Sequence, residues 1–218
     1  MSVKDTWYKS SDWSQDAQKI FEEKLRRIKS NYRKAQCMRI KAGYLSEIHN
    51  SNYHANAINL LNRSMKEYPE GSDRAYEQLG KIYEADGDLQ QAEMCYRMAI
   101  KYEQKSIFKG LSEYYLGILL ASSNEPEKMK EAQELLDKIG SDTVFLLISG
   151  RFYDFIVTRA ILAEKLCDYE KAIYYAKEAL LAKEKESQLL QHPKANIGRI
   201  TTEKLELMRD IIQKYGDI

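Results

Sequence analysis

Basic side chains crowd one stretch near the start of the chain, where they could bind phosphates or an acidic protein surface. Between Lys19 and Lys41 there are nine basic and two acidic residues, a local net charge of +7, whereas the whole chain carries +1. The candidate binding patch within this stretch is Lys24, Arg26, Arg27 and Arg33. A solvated helix face is the alternative interpretation. No helix-turn-helix, zinc or base-stacking motif accompanies the run, so the sequence does not favour nucleic acid as its partner.

The three histidines do not form a recognisable metal or catalytic site. His49 and His54 are five residues apart, not at the four-residue spacing of a helical zinc pair. His192 precedes Pro193, where a packing role in a turn is expected. The chain also shows no glycine-rich phosphate loop and no nucleophile elbow. We therefore expect no enzyme, no catalytic residue, no metal and no cofactor.

The cysteines and the hydropathy pattern bound the environment of the chain. Cys37, Cys95 and Cys167 are odd in number and far apart, which predicts no disulfide framework, and we expect three buried thiols. No apolar run approaches the roughly 20 residues of a membrane-spanning helix. The first residues lack the apolar segment of a signal peptide. These features predict a cytoplasmic protein without a membrane partner.

One stretch near the middle of the chain has the spacing of two closely crossing helices. Its residues are Tyr76, Leu79, Gly80 and Tyr83, then Gly87 and Asp88, then Ala92, Tyr96 and Ala99. This spacing resembles one unit of a tetratricopeptide (TPR) repeat, with tyrosine at the position where tryptophan is usual. A single helix pair of this kind cannot bury its apolar face, so the resemblance implies stacked neighbours and a curved binding surface.

Small residues at similar intervals predict those neighbours. Ala57, Ala92, Ala132 and Ala172 are separated by 35, 40 and 40 residues, against about 34 in a TPR repeat. We expect each alanine to let the second helix of a pair approach the first.

The punctuation between these alanines predicts where helices end. Pro69 ends one helix, because proline cannot continue it. Asp88 is the predicted N-cap of the helix that contains Ala92. Helices are predicted from Asn31 to Ile48 and from Thr202 to Lys214.

The predicted fold class is all-α, a TPR-like α–α superhelix. We expect a right-handed solenoid of about ten antiparallel helices, with about four repeats and terminal capping helices. Residues 1–218 are predicted to form a single domain. Within it, 1–30 is an N-terminal capping segment, 31–188 holds the helix pairs, and 189–218 is a linker with a capping helix. Terminal caps are needed because end repeats would otherwise expose apolar surface.

The chain as a whole resembles a group of bacterial TPR-like proteins of unassigned role. The resemblance rests on Trp13-Ser14, on Phe21 to Arg27, on Lys34 to Ala42, on the central Leu79-Gly80 unit, and on Gln191 to Pro193. It implies fold and a binding function but no catalytic residues. TPR cochaperones grip acidic peptide ends with paired lysine and asparagine, and that pattern is absent here.

In TPR stacks the leading helix of each pair lines the concave face. The repeat phase places nine residues there: Arg39, Arg74, Glu77, Lys81, Tyr114, Ile118, Asp154, Val157 and Ile161. Such a groove suits an extended peptide or a partner helix. The alternative is that Ile118, Val157 and Ile161 are simply core residues.

The expected function is therefore a non-enzymatic scaffold or adaptor that binds a protein or peptide partner in its concave face. Two alternatives stay open at this point. The chain could be an immunity or regulatory partner of a bacterial toxin or enzyme, or a nucleic-acid-associated factor acting through residues 19–41. Self-assembly into a homo-oligomer is a further possibility.

Overall fold

The computed structural model describes residues 7–48, 50–103, 111–140, 151–184 and 198–216. All regular structure within these ranges is helical, which confirms the all-α class. The helices are α1 (Gln15–Arg27), α2 (Asn31–Ser46), α3 (Ser51–Glu67), α4 (Ser72–Ala85), α5 (Leu89–Glu103), α6 (Ser112–Ala121), α7 (Pro126–Ile139), α8 (Phe152–Lys165), α9 (Tyr169–Glu184) and α10 (Thr202–Tyr215). None of these helices is long and apolar enough to cross a membrane.

The chain forms two compact units, residues 1–112 (unit 1) and 113–218 (unit 2). In unit 1, α2 packs against α3, α3 against α4, and α4 against α5, while α2 also contacts α4. In unit 2, α9 packs against both α8 and α10, and α7 packs against α8. Most neighbours in sequence are thus neighbours in space, as short connections between helices require.

A close crossing joins α4 and α5, because Gly80 has no side chain. A Cβ at this position would lie only 2.6 Å from Cδ1 and 2.9 Å from Cζ of Tyr96. The Tyr96 ring fills that space, is fully buried, and donates its hydroxyl to Glu84 over 2.7 Å. Gly80 and Tyr96, two residues of the spacing pattern found in the sequence, are therefore in direct contact.

The turn after α4 has the geometry that its sequence predicts. Gly87 adopts φ 81°, a left-handed conformation that glycine tolerates best. The amide of Asp88 donates to the carbonyl of Tyr83 over 2.9 Å, as in a Schellman motif. The Asp88 carboxylate then accepts from the amide of Gln91 over 3.1 Å, which confirms the predicted cap at the start of α5.

Unit 2 repeats this turn between α8 and α9 with one substitution. The amide of Asp168 donates to the carbonyl of Ala163 over 2.9 Å, and its carboxylate accepts from the amide of Lys171 over 3.2 Å. Cys167 occupies the glycine position with φ 60°. Cys167 is exposed, so the expectation of a buried thiol is wrong for this residue, because it projects from the turn. Cys37 is buried, as predicted.

The four alanines that recur at similar intervals in the sequence are all fully buried. Ala57, Ala92, Ala132 and Ala172 each have 0% exposure, as expected of small residues that pack between helices. Gly117 adds a comparable close contact, since a Cβ there would lie 2.9 Å from Cδ2 of Leu136.

Helix ends agree with the predicted punctuation to within two residues. The second helix ends at Ser46 rather than Ile48, α3 ends before Pro69, and α10 extends to Tyr215. Side chains of Ser14, Ser30, Asn50 and Thr201 accept a first-turn amide at the start of their helices. His49, His192, Pro193 and the rest of 189–197 lie outside the described residues.

The N-terminal segment is fixed to unit 1 by polar contacts as well as apolar ones. Glu22 of α1 accepts two hydrogen bonds from Arg63 of α3, over 2.5 and 2.8 Å, and this contact raises the pKa of Arg63. Phe21 and Leu25 are buried, whereas Ile20 is 51% exposed. Ile20 is adjacent to Phe21 in the sequence, but its side chain lies beside the buried stripe formed by Phe21 and Leu25.

His54 has a packing role in unit 1. Its ring is buried, with Nδ1 2.5 Å from Oδ1 of Asp86 and Nε2 3.2 Å from the carbonyl oxygen of Ser46. The side chain thereby connects the start of α3 with the ends of α2 and α4.

Candidate functional site

A groove runs between α2 and α4 in unit 1. Its first cavity has a volume of about 490 Å³. The lining residues are Arg39, Ile40, Gly43, Ser46 and Glu47 from α2 and its end, and Arg74, Glu77, Gln78, Lys81, Ile82 and Ala85 from α4. The four unit 1 residues that the repeat phase selects, Arg39, Arg74, Glu77 and Lys81, are among them. The structure thus brings these four side chains together.

The floor of the groove depends on a glycine in α2. Gly43 presents no side chain, and a Cβ there would lie 2.9 Å from Nε2 of Gln78 as that amide is placed. With its amide turned to satisfy both atoms, Gln78 donates to the carbonyl of Arg39 over 3.1 Å and accepts from the amide of Gly43 over 2.7 Å. Gln78 of α4 thus contacts the backbone of α2 at the floor, and longer side chains such as Arg39 and Arg74 form the walls.

Glu77 is the internal counter-ion of the groove. The residue is 8% exposed, and its carboxylate accepts from Nζ of Lys81 over 2.7 Å and from the amide of Leu111 over 3.2 Å. Arg74 forms a longer contact of 3.5 Å with the same carboxylate. Buried carboxylates require such partners, so Glu77 holds Lys81 and Arg74 in defined positions.

Arg39 differs from the other cations of the groove. Within the described residues its guanidinium makes no hydrogen bond and no ion pair. Burial lowers the pKa of Arg39, and the nearby charge of Arg74 lowers it further, while Glu77 acts in the opposite direction. Arginine stays protonated under any physiological condition. Arg39 is therefore a partly buried cation with donors available for an anion.

A second cavity of about 630 Å³ continues the groove and shares Arg39 and Arg74 with the first. Two tyrosines expose their rings along it. Tyr32 is 60% and Tyr102 is 38% exposed, and the Tyr102 ring stacks on Tyr76 with centroids 5.5 Å apart. Exposed aromatic rings beside a groove are typical anchors for a partner.

The predicted residues of unit 2 are in a different situation. Tyr114 and Val157 are 4% and 3% exposed, so both are core residues, which for Val157 is the alternative interpretation given above. Ile118, Asp154 and Ile161 are partly buried. Asp154 is paired with Lys204 of α10, so its charge is already neutralised within unit 2.

The basic stretch of 19–41 is divided among several environments. Lys41 is 2% exposed, and its ammonium donates to the carbonyls of Ser10 and Asp12, each over 2.7 Å. Burial lowers the pKa of Lys41. Arg39 lies in the groove described above. Lys41 was counted with the basic run, but the N-terminal segment covers it.

The four patch residues themselves do not form one surface. Lys24, Arg27 and Arg33 line a separate cavity of about 300 Å³ with Trp7 and Tyr8. Arg26 is exposed and is not among the residues that line it.

Sequence reasoning missed the aromatic part of both cavities. Tyr32, Gln36, Arg39 and Gly43 follow one another at steps of four, three and four residues, which is one helical face. That periodicity would have added Tyr32 and Gln36 to the groove. Trp7 offers no such signal, because it lies in a segment without helical periodicity.

The described residues contain no cluster of three or more histidine, cysteine or carboxylate side chains that could hold a metal ion. The side chains of the groove can form ion pairs, hydrogen bonds and aromatic contacts. Comparisons with family models, with curated proteins and with solved structures gave no match to this chain.

Proposed function

We propose that this protein is a TPR-type interaction scaffold that binds a segment of a protein partner in the groove between α2 and α4. The observation that carries the proposal is the convergence of Arg39, Arg74, Glu77 and Lys81 on one cavity. These side chains come from the leading helices of two successive pairs, the helices that line the binding face in TPR proteins. The right-handed superhelix and the cytoplasmic location belong to the same proposal.

Binding in this groove would rest on few and largely ordered side chains. Glu77 already orients Lys81 and Arg74, which reduces the side-chain entropy lost when a partner binds. Arg39 would pair with a carboxylate of the partner, since charge-assisted hydrogen bonds to arginine are strong and directional. Tyr32 and Tyr102 would contact apolar side chains of the same segment.

The groove favours an elongated ligand over a compact one. Its two cavities adjoin at Arg39 and Arg74, so a ligand that fills both must follow the direction of the helices. An extended peptide and a partner helix both satisfy this condition. Little change of shape is expected in the scaffold, because the groove already exists without a ligand.

Site-specific photo-crosslinking in living cells tests the proposal. A photoreactive amino acid replaces Glu47, which is exposed and lines the groove. The matched control carries it at Met94 of α5, which is 53% exposed and does not line the groove. We expect discrete crosslinks to one partner segment from position 47 and none from position 94. The same products from both positions, or none from position 47, would count against the proposal.

A further inference from the structure

A second concave site lies at the N-terminal end of unit 1, and its lining residues differ from those of the groove. Its cavity of about 300 Å³ is lined by Trp7, Tyr8, Lys24, Arg27, Ile28, Arg33 and Cys37. Three of these seven residues are cations, and none of those lining residues is acidic. A pocket of this size that is lined by both charged and apolar residues is suited to a small ligand.

The three cations approach the cavity from two helices. Lys24 and Arg27 are one turn apart on α1, and Arg33 lies in the first turn of α2. Arg33 is oriented by its own contacts, since it donates to the hydroxyl of Tyr8 over 3.2 Å and to Oε1 of Gln36 over 2.5 Å. Its guanidinium carbon also lies 5.7 Å from the centroid of the Tyr8 ring.

Lys24 is the cation with the fewest competing contacts. Its ammonium lies 6.0 Å from the centroid of the Trp7 ring, and within the described residues it makes no hydrogen bond or ion pair. Arg27 is paired with Glu23 on the surface of α1, with side chains 74% and 61% exposed. Exposed ion pairs are weak, so a doubly charged anion can compete for Arg27.

The lining residues other than the three cations are Trp7, Tyr8, Ile28 and Cys37. Trp7 is fixed against Phe21 and Tyr8, with ring centroids 5.1 Å away in both cases. These rings and apolar side chains would contact an aromatic or apolar group attached to the anion. The ligand therefore combines an anion with an organic group.

We propose that this cavity binds the phosphate group of a small phosphate monoester. A monoester carries a charge near −2 at neutral pH and presents three strong acceptor oxygens, which matches three converging cations. Lys24 and Arg33 supply the main contacts, and Arg27 joins them by exchanging Glu23 for the phosphate. No residue lines both this cavity and the partner groove, although Arg33 donates to Gln36 of the groove.

A nucleic-acid backbone fits these observations less well. A backbone requires cations spaced along a continuous track. Here the basic stretch is interrupted: Lys41 is buried under the N-terminal segment, Arg39 lines the groove, and Lys34 lies 5.2 Å from the Tyr68 ring centroid. Backbone phosphates are also diesters with a single charge. A point site for a doubly charged phosphate is the better match.

Titrations with phenyl phosphate, inorganic phosphate and methyl phenyl phosphate test this proposal on the full chain at low ionic strength. Trp7 is one of two tryptophans, so fluorescence and calorimetry can both follow binding. We expect phenyl phosphate to bind at least tenfold more tightly than the diester, and more tightly than inorganic phosphate. Lys24→Gln and Arg33→Gln should each weaken phenyl phosphate about tenfold, the effect of losing one charge-assisted hydrogen bond.

Arg26→Gln is the matched control, because it removes the same charge from α1 at an exposed position outside the cavity. It should change binding by less than about twofold. Lys24→Gln keeps the test decisive if Arg33→Gln disturbs Tyr8, and a thermal melt verifies folding of each variant. The proposal is overturned by absence of phenyl phosphate binding, by equal binding of the diester, or by equal losses in Arg26→Gln and Lys24→Gln. Binding of oligonucleotides without binding of phenyl phosphate would also overturn it.

Discussion

Arg39 and Arg74 lie on neighbouring helices, α2 and α4, and line the same groove of unit 1. Their charges repel, since Arg74 lowers the pKa of Arg39 in addition to the larger effect of burial. Glu77 contacts Arg74 and Lys81 but forms no hydrogen bond with Arg39 within the described residues. An anion that enters the groove would relieve this repulsion. The pair therefore explains why a partner with an acidic side chain is expected here.

The Tyr32 ring provides a test of aromatic anchoring in the groove. Replacing Tyr32 by alanine should weaken binding of the crosslinked partner segment by about 1–2 kcal/mol, the loss typical of an aromatic contact at an interface. Tyr174→Ala is the control, because Tyr174 is 58% exposed, against 60% for Tyr32, but lies in unit 2. Calorimetric titration of both variants measures the difference. Equal losses in the two would show that the effect is not specific to the groove.

Gly80 should be intolerant of any side chain. We predict that Gly80→Ala lowers the free energy of unfolding by about 1–2 kcal/mol, because overlap with the Tyr96 ring outweighs the better helix propensity of alanine. Urea denaturation gives the value. In a Tyr96→Leu background the same substitution should cost much less, since the smaller side chain vacates the ring position. A full cost in both backgrounds would exclude the ring contact as the cause.

Replacing Cys167 by glycine should stabilise the protein, because a residue with a side chain is strained in the left-handed region. Cys167→Gly should raise the free energy of unfolding by about 1 kcal/mol. Glycine already occupies the equivalent position, residue 87, in the turn after α4. Cys167→Ala serves as the comparison, since it removes the thiol but keeps the Cβ, and it should change stability little. Chemical denaturation of both variants decides the question. A neutral Cys167→Gly would mean that this turn carries no strain.

Cys95 should contribute a pH dependence to stability. Burial raises the pKa of its thiol from 9.0 to about 11. Between these values the folded chain keeps a proton that the unfolded chain has released, so the contribution is present below about pH 9 and is lost as the pH rises towards 11. From pH 8 to pH 10 wild type should lose about 1 kcal/mol more than Cys95→Ala. Chemical denaturation of both proteins between pH 8 and pH 10 measures this difference. Equal losses of stability in the two proteins would contradict the raised pKa of Cys95.

The reactivity of the thiols gives an independent check on the same residues. Cys37 and Cys95 are buried, whereas Cys167 is exposed. In the native protein a thiol reagent at pH 8 should therefore modify Cys167 quickly and the other two only on unfolding. Mass spectrometry after partial labelling identifies the modified residue.

Local packing could be predicted from the sequence, whereas long-range contacts could not. Gly80 and Tyr96 contact each other across two helices that follow one another in the sequence, and each of the four buried alanines is also expected to pack against a sequence neighbour. The spacing of such residues in the sequence therefore predicts their contacts. The groove positions Arg39 and Glu77 follow from the same periodicity. Lys41 shows the limit, because its burial depends on the carbonyls of Ser10 and Asp12, about 30 residues away in the chain. No periodic pattern reports such a contact.

The predicted concave-face residues of unit 1 and those of unit 2 differ in exposure for a physical reason. Helical phase decides which side of a helix a residue occupies, but it does not decide whether a neighbour covers that side. Arg39 and Val157 both occupy predicted inner positions, yet Arg39 lines a cavity and Val157 is buried. Three-dimensional packing was needed to separate these two outcomes.

The most direct measurement is the affinity of the crosslinked partner segment for wild type, Arg39→Gln and Arg26→Gln. Arg39 lines both cavities of the groove, and Arg26 is an exposed arginine on α1 that lines neither. Loss of a charge-assisted pair should weaken binding to Arg39→Gln about tenfold or more, with Arg26→Gln within about twofold of wild type. Unchanged affinity in Arg39→Gln, or equal losses in both variants, would contradict binding in the groove between α2 and α4.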